Sequence, residues 1–160
     1  MITLYLAKTS EGRAFAERIL RERHKTTAPV KETEHGKPYL EGNPLYFNLS
    51  HSGGMIALAV SDHEVGVDLQ QRSDVPPAVR RRLSEQENQE DFFRLWTAKE
   101  AYVKFLGETL ASYYSRLTYA NGVLFLDDAP VKISLKHLDF LDFSLCVVTE
   151  QAQEIRIVRI

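Results

Sequence analysis

The chain holds one cysteine, one tryptophan and no hydrophobic run that approaches a bilayer span. A lone thiol rules out a disulfide framework. Cys146 lies in the apolar stretch FSLCVVT, so it reads as a core thiol, and a reduced, cytoplasmic setting is the default. Five histidines and that cysteine show no zinc-ligand spacing. Neither sign of charge dominates: 20 Lys and Arg stand against 22 Asp and Glu, a net of -2, which removes the usual electrostatic basis for a nucleic-acid partner. There is no low-complexity segment, and MITLYLA has neither the length nor the flanks of a signal peptide. The 160 residues, 44% hydrophobic and 26% charged, suit one folded domain or two small halves sharing a core.

What is present is mixed periodicity. Residues 2–7, 45–50, 55–61 and 65–70 read as strands, and 10–24 as a helix with Ser10 at its N-cap and Ala14, Phe15 and Ile19 on its apolar side. Thr26 to Pro44 is rich in Pro, Gly, Lys and Glu and reads as a long connecting segment. His51-Ser52-Gly53-Gly54 reads as a turn, and Ser61–Glu64 as the boundary between halves. Ser84 and Glu87 have capping-box spacing. After Gly107, strands are expected near 115–120, 123–126, 131–136, 143–149 and 154–159, with Asn121-Gly122 as a hairpin turn. The expected class is α+β: two small α/β halves in a pseudo-twofold arrangement with antiparallel sheets and helices packed on them.

Residues 92–107, FFRLWTAKEAYVKFLG, form the most informative segment. At about 100° per residue, Phe92, Leu95, Trp96, Tyr102, Val103 and Leu106 make one apolar stripe. Lys99 projects from its middle, and Glu100 and Lys104 stand one turn apart on its shoulder. Taken singly, Glu100 and Lys104 are an ordinary i,i+4 contact, and Lys99 is a lysine whose stem covers apolar surface. In VGVDLQ, alternation puts Val65, Val67 and Leu69 on one face and Gly66, Asp68 and Gln70 on the other. There Asp68 reads either as a hard-cation ligand or as a strand-end acid facing water. Ser50 and His51 precede two glycines, a place where hydroxyl, imidazole and free N–H groups can meet phosphate. Lys37 lies in the loop HGKPYL.

Each of these is weak alone, but their order is distinctive. GKPY at 36–39, FNLSHS at 47–52, GVDLQ at 66–70 and WTAKEAYVK at 96–104 together resemble the 4′-phosphopantetheinyl transferases, in particular the pseudodimeric type that activates carrier domains of synthetases. The resemblance runs from about Arg13 to the C-terminus. It implies transfer of the phosphopantetheine arm of coenzyme A to a serine of an apo carrier protein, with release of adenosine 3′,5′-bisphosphate. It further implies a coenzyme A phosphate-binding half over 1–61, a half over 62–160 carrying the metal ligands and the K-E-A helix, and an active site in the cleft between them. Asp68 and Glu100 match the family's Mg²⁺ ligands, with Gln70 beside them. Glu100 also matches the base that accepts the serine proton, and Lys104 the cation at the departing phosphate. Lys37, Ser50, His51 and Arg13 match the grip on the phosphates of coenzyme A. Lys99, placed with that binding set, is expected to pair with a phosphate or a carboxylate, because an unpaired charge in an apolar stripe is costly.

Three departures stand out. Gln70 replaces a second acid, which implies weaker metal affinity or a preference for Mn²⁺ over Mg²⁺. Thr109 stands where the family pattern has a second glycine after the last lysine. The basic stretch ahead of Arg13 is short, with Lys8 as its helper. These departures keep a second class open, a degenerate relative that binds coenzyme A or a carrier protein without turnover. A structural or adaptor domain with no cofactor is a third class. Arg80, Arg81 and Arg82, with Arg72 near, are either a solvated face or a docking surface for an acidic carrier. A monomer is expected, with no membrane partner.

Overall fold

The computed structural model describes all 160 residues, Met1–Ile160. Chain order runs β1 (Ile2–Lys8), α1 (Arg13–Arg23), β2 (Val30–Glu32), β3 (Pro38–Leu40), β4 (Tyr46–Ser52), β5 (Met55–Ser61) and β6 (Val65–Gln71). Then come α2 (Pro77–Arg80), a 3₁₀ turn (Glu87–Gln89), α3 (Phe92–Leu106) and α4 (Leu110–Tyr113). The chain closes with β7 (Leu117–Ala120), β8 (Val123–Leu126), β9 (Ala129–Pro130), β10 (Ser134–His137), β11 (Phe143–Thr149) and β12 (Ile155–Arg159). The α+β class stands. No helix is long and apolar enough to cross a membrane.

Alternation along the strands builds four layers. One face of the sheet β12-β1-β5-β4 places Tyr5, Ala7, Ile56, Leu58 and Val60 against Phe15, Ala16, Ile19 and Leu20 of α1. Its other face, with Ile2, Leu4, Leu6, Ala57 and Ala59, meets Val65, Val67 and Leu69 of β6 and Phe143, Leu145 and Val147 of β11. The far side of the second sheet, β10-β11-β6, carries Cys146 and Val148 and is covered by α3. The order is helix, sheet, sheet, helix.

Several local expectations are corrected. Gly12, at φ 55°, precedes α1 in place of a Ser10 cap, and no side chain caps that helix. The connecting segment contains a short hairpin, β2 with β3, turned at Gly36. β4 extends through Ser52, so Ser50 and His51 lie in the strand, and Gly53-Gly54 alone make the turn. Ser84 and Glu87 do form the reciprocal capping box, but around the 3₁₀ turn. The cap of α3 is Asp91, whose carboxylate accepts the N–H groups of Phe93 and Arg94 at 3.0 and 3.1 Å. Asn121 and Gly122, both at positive φ, turn the β7-β8 hairpin as expected. The last strand runs parallel to β1, so the C-terminal end of the chain completes the sheet that its N-terminal strand belongs to.

β4 and β6 lie side by side without a backbone ladder. Instead the alternating side chains of β4 meet the edge of β6. Asn48 Oδ1 accepts Val67 N–H at 2.8 Å, Ser50 Oγ accepts Leu69 N–H at 3.0 Å, and Ser52 Oγ accepts Gln71 N–H at 2.9 Å. These side chains satisfy backbone donors that an edge strand would otherwise leave to water. They also fix the register of β4 against β6.

Candidate active site

Gly66 determines where α3 sits. A Cβ built there would lie 2.1 Å from the carbonyl oxygen of Ala101 and 2.7 Å from the backbone nitrogen of Phe105. Only a glycine admits the helix this close to β6. Ala101 and Phe105 ride over Gly66, so their predecessors Glu100 and Lys104 come down beside Asp68, two residues along the same strand face. Gly107, at φ 72°, then ends the helix in a left-handed cap.

Asp68 is the centre of the cluster and is 1% exposed. Its Oδ1 accepts from Lys104 Nζ at 2.7 Å and from Ser50 Oγ at 3.1 Å, and its Oδ2 accepts from the Gln70 amide at 3.2 Å. Lys104 Nζ also reaches Ser50 Oγ at 3.2 Å. Glu100 stands on the cleft wall with no hydrogen-bond or ion-pair partner. Burial, and then the charge of Asp68, push its carboxyl above the ordinary carboxylate range, while Lys104 offsets part of that shift.

The cluster forms the floor of a cleft of about 570 Å³ between β4 and α3, lined also by Arg13, Lys37, Asn48, Ser50, His51 and Gln70. Two of the residues expected to grip phosphate are engaged with carboxylates. Arg13 donates to Glu32 at 2.6 Å and to Glu17 at 2.9 Å. Lys37 Nζ donates to Glu64 at 2.6 Å and to the carbonyl of Phe105 at 3.1 Å, and its burial lowers the ammonium's affinity for its proton. His51 is exposed on the lining.

Two expectations change. Ser50 is 5% exposed and uses its hydroxyl at the seam and on Asp68, so it orients the carboxylate and has no free donor for phosphate. Lys99 does not reach the cleft. It is 2% exposed, and its ammonium lies 2.7 Å from the carboxylate of Glu87, which is 4% exposed. Of the two partners expected for Lys99, the carboxylate is the one present. Glu87 also accepts the N–H groups of Ser84 and Tyr119, so this ion pair ties α3 to the capping box and to β7. Trp96 is half-buried and stacks on Phe92, and Leu106 is exposed, so the predicted apolar stripe is interrupted. Arg72 is held by Asp91 and Asp139, which leaves Arg80, Arg81 and Arg82 as the exposed arginines of that cluster.

Sequence reasoning missed the carboxylates Glu32, Glu64 and Glu108 around the cleft, and Asn48 at the seam. Asn48 carried a signal in its two-residue spacing from Ser50 and Ser52. The acids carried none, because their partners lie 19 to 73 positions away in the chain.

The residues that could hold a divalent cation are two carboxylates, Asp68 and Glu100, and the amide oxygen of Gln70. No three His, Cys, Asp or Glu side chains gather. All three donors are hard oxygens, and Glu100 has no partner of its own while it faces a like charge. The residues fit a hard divalent ion that brings further oxygen ligands with it.

A family model described as the 4′-phosphopantetheinyl transferase superfamily matches residues 64–157. Among curated relatives, the transferase AcpT of Salmonella typhi is 35% identical over 135 residues, 72% of this chain and 65% of its own length. The transferase psf-1 of Bacillus pumilus is 34% identical over 107 residues, covering 56% and 46%. The transferase gsp of Aneurinibacillus migulanus is 31% identical over 90 residues, covering 49% and 38%. The chain therefore spans between about two fifths and two thirds of the relatives it matches. The matched region starts at the head of β6 and takes in Asp68, Glu100 and Lys104, and the chain belongs to the 4′-phosphopantetheinyl transferase superfamily.

Proposed function

We propose that the chain transfers the 4′-phosphopantetheine arm of coenzyme A to a serine of an apo carrier protein, in an Mg²⁺-dependent reaction that releases adenosine 3′,5′-bisphosphate. The observation that carries this reading is the convergence of Asp68, Glu100 and Lys104 on the floor of a polar cleft between β4 and α3. The serine hydroxyl attacks the phosphorus bearing the pantetheine arm. Glu100 takes the serine proton on its carboxylate. Lys104 donates to the departing phosphate oxygen as the bond to the nucleotide breaks. Ser50 holds the Asp68 carboxylate in place. Lys37, Arg13 and His51 line the walls where the phosphates of coenzyme A lie.

Charge supports the metal requirement. The lining holds the cations Arg13, Lys37 and Lys104 against the carboxylates Glu32, Asp68, Glu100 and Glu108. A polyphosphate entering such a cleft meets a formally negative wall. Asp68, Glu100 and the Gln70 oxygen would hold such an ion, which when bound would supply neutralisation of phosphate charge. An acidic carrier protein is the acceptor that fits the exposed Arg80, Arg81 and Arg82.

The deciding experiment incubates the protein with coenzyme A, Mg²⁺ and an apo carrier protein, followed by intact-mass measurement. A gain of one phosphopantetheine on the carrier, lost with Glu100→Ala, supports the reading. Gln70 in place of an acid favours the alternative of a binding relative without turnover. That alternative predicts stabilisation by coenzyme A with no mass gain.

A further inference from the structure

Ser144 is 0% exposed, and its hydroxyl has no hydrogen-bond partner. It lies on β11 directly across from Gln70 of β6. Alternation turns Phe143, Leu145 and Val147 into the inter-sheet core, so Ser144 shares the α3-facing side with Cys146 and Val148. That side also carries Gly66, Asp68 and Gln70 of β6. A hydroxyl buried without a partner is unfavourable, and an alanine would fill the position without that loss.

Gln70 supplies a reason for keeping it. Its Nε2 donates to Asp68 Oδ2 at 3.2 Å, the only orientation in which an amide can satisfy a carboxylate. The same orientation is wrong for a cation, because the amide hydrogens then face the ion. Turning the amide about its last torsion exchanges its two ends, so that Oε1 takes the Asp68 side and the Nε2 donors point away from it. Those donors then need an acceptor, and the hydroxyl oxygen without a partner is on the adjacent strand at the paired position.

We propose that Ser144 is a positioning residue that accepts a hydrogen bond from the Gln70 amide in its cation-facing orientation, so that Gln70 and Ser144 together stand in for a second acid. The inference rests on the reading of Asp68 and Glu100 as cation-holding carboxylates. It adds a residue from the opposite strand to that site.

The test is a binding cycle on the full chain. Mn²⁺ affinity, read from the free-ion resonance signal, is measured for the wild type, Ser144→Ala, Gln70→Ala and the double variant, with melting temperatures alongside. Ser144→Ala should weaken Mn²⁺ binding by about tenfold. Its melting temperature should equal or exceed that of the wild type, because a buried hydroxyl without a partner has gone. In the Gln70→Ala background the same change should alter affinity by less than about twofold. Equal Mn²⁺ affinity for the wild type and Ser144→Ala would overturn the proposal. So would a tenfold loss that persists without Gln70, or no Mn²⁺ binding by the wild type. The carrier assay is read separately. Transfer without Ser144–Gln70 coupling leaves the transferase reading standing and removes this inference, and coupling without transfer does the reverse.

Discussion

The buried pair of Lys99 and Glu87 gives the sharpest separation between a structural and a ligand-binding role. Both residues are almost wholly out of solvent, at 2% and 4% exposure, and the ammonium lies 2.7 Å from the carboxylate. Lys99→Met keeps most of the stem volume and removes the charge. It leaves the Glu87 carboxylate in the interior with only the N–H groups of Ser84 and Tyr119. Removing one partner of a buried pair costs about 3–5 kcal/mol, a large fraction of the roughly 5–15 kcal/mol that holds a domain together. In a chain of this length that corresponds to a fall in melting temperature of about 6–20 °C. Glu87→Gln should cost a similar amount, because it strands the ammonium. The double variant should recover part of the loss, since no charge then remains unpaired and the glutamine oxygen still accepts one backbone N–H. Urea denaturation of the four proteins measures the cycle. Burial also shields the pair from salt, so the loss should persist at about 1 M NaCl. A loss below about 1 kcal/mol for Lys99→Met, together with weakened coenzyme A binding, would place the ammonium at the ligand and refute the structural assignment.

Other outcomes follow from the same geometry. Gly66→Ala should lower stability by about 3 kcal/mol in chemical denaturation, because its Cβ meets the Ala101 carbonyl, and carrier modification should fall with it as Glu100 and Lys104 move from Asp68. Unchanged stability would show that α3 has room to shift. Glu100→Gln should raise the melting temperature of the metal-free protein at pH 7. The folded state holds the Glu100 proton more tightly than the unfolded chain does, so ionising it opposes folding above the raised value. That gain should shrink as the pH falls through the ordinary glutamate value and vanish by about pH 3, where the carboxyl is protonated in both states, and a gain independent of pH would contradict the sign. Coenzyme A affinity by titration calorimetry should drop by about tenfold or more on chelation of divalent ions, given the excess of carboxylates on the cleft lining, and equal affinity with and without chelator would remove the electrostatic argument.

Local rules settle what is local. Alternation placed Gly66, Asp68 and Gln70 on one face of β6, the Asn121-Gly122 pair turned its hairpin, and the capping-box spacing of Ser84 and Glu87 formed as written, because each depends on residues a few positions apart. The order of the four motifs was enough to indicate the family. Tertiary structure decided who faces whom. It assigned Lys99 to Glu87 across the core, turned Ser50 from a phosphate contact into a support for Asp68, and closed Arg13 and Lys37 onto Glu32 and Glu64. It also returned the final strand to pair with β1. Those outcomes depend on contacts between residues far apart in the chain, and their energies exist only once the sheets have stacked and water has left. A charge, a hydroxyl or a strand edge then takes whichever partner the fold brings within reach, and the order of residues along the chain does not encode that choice.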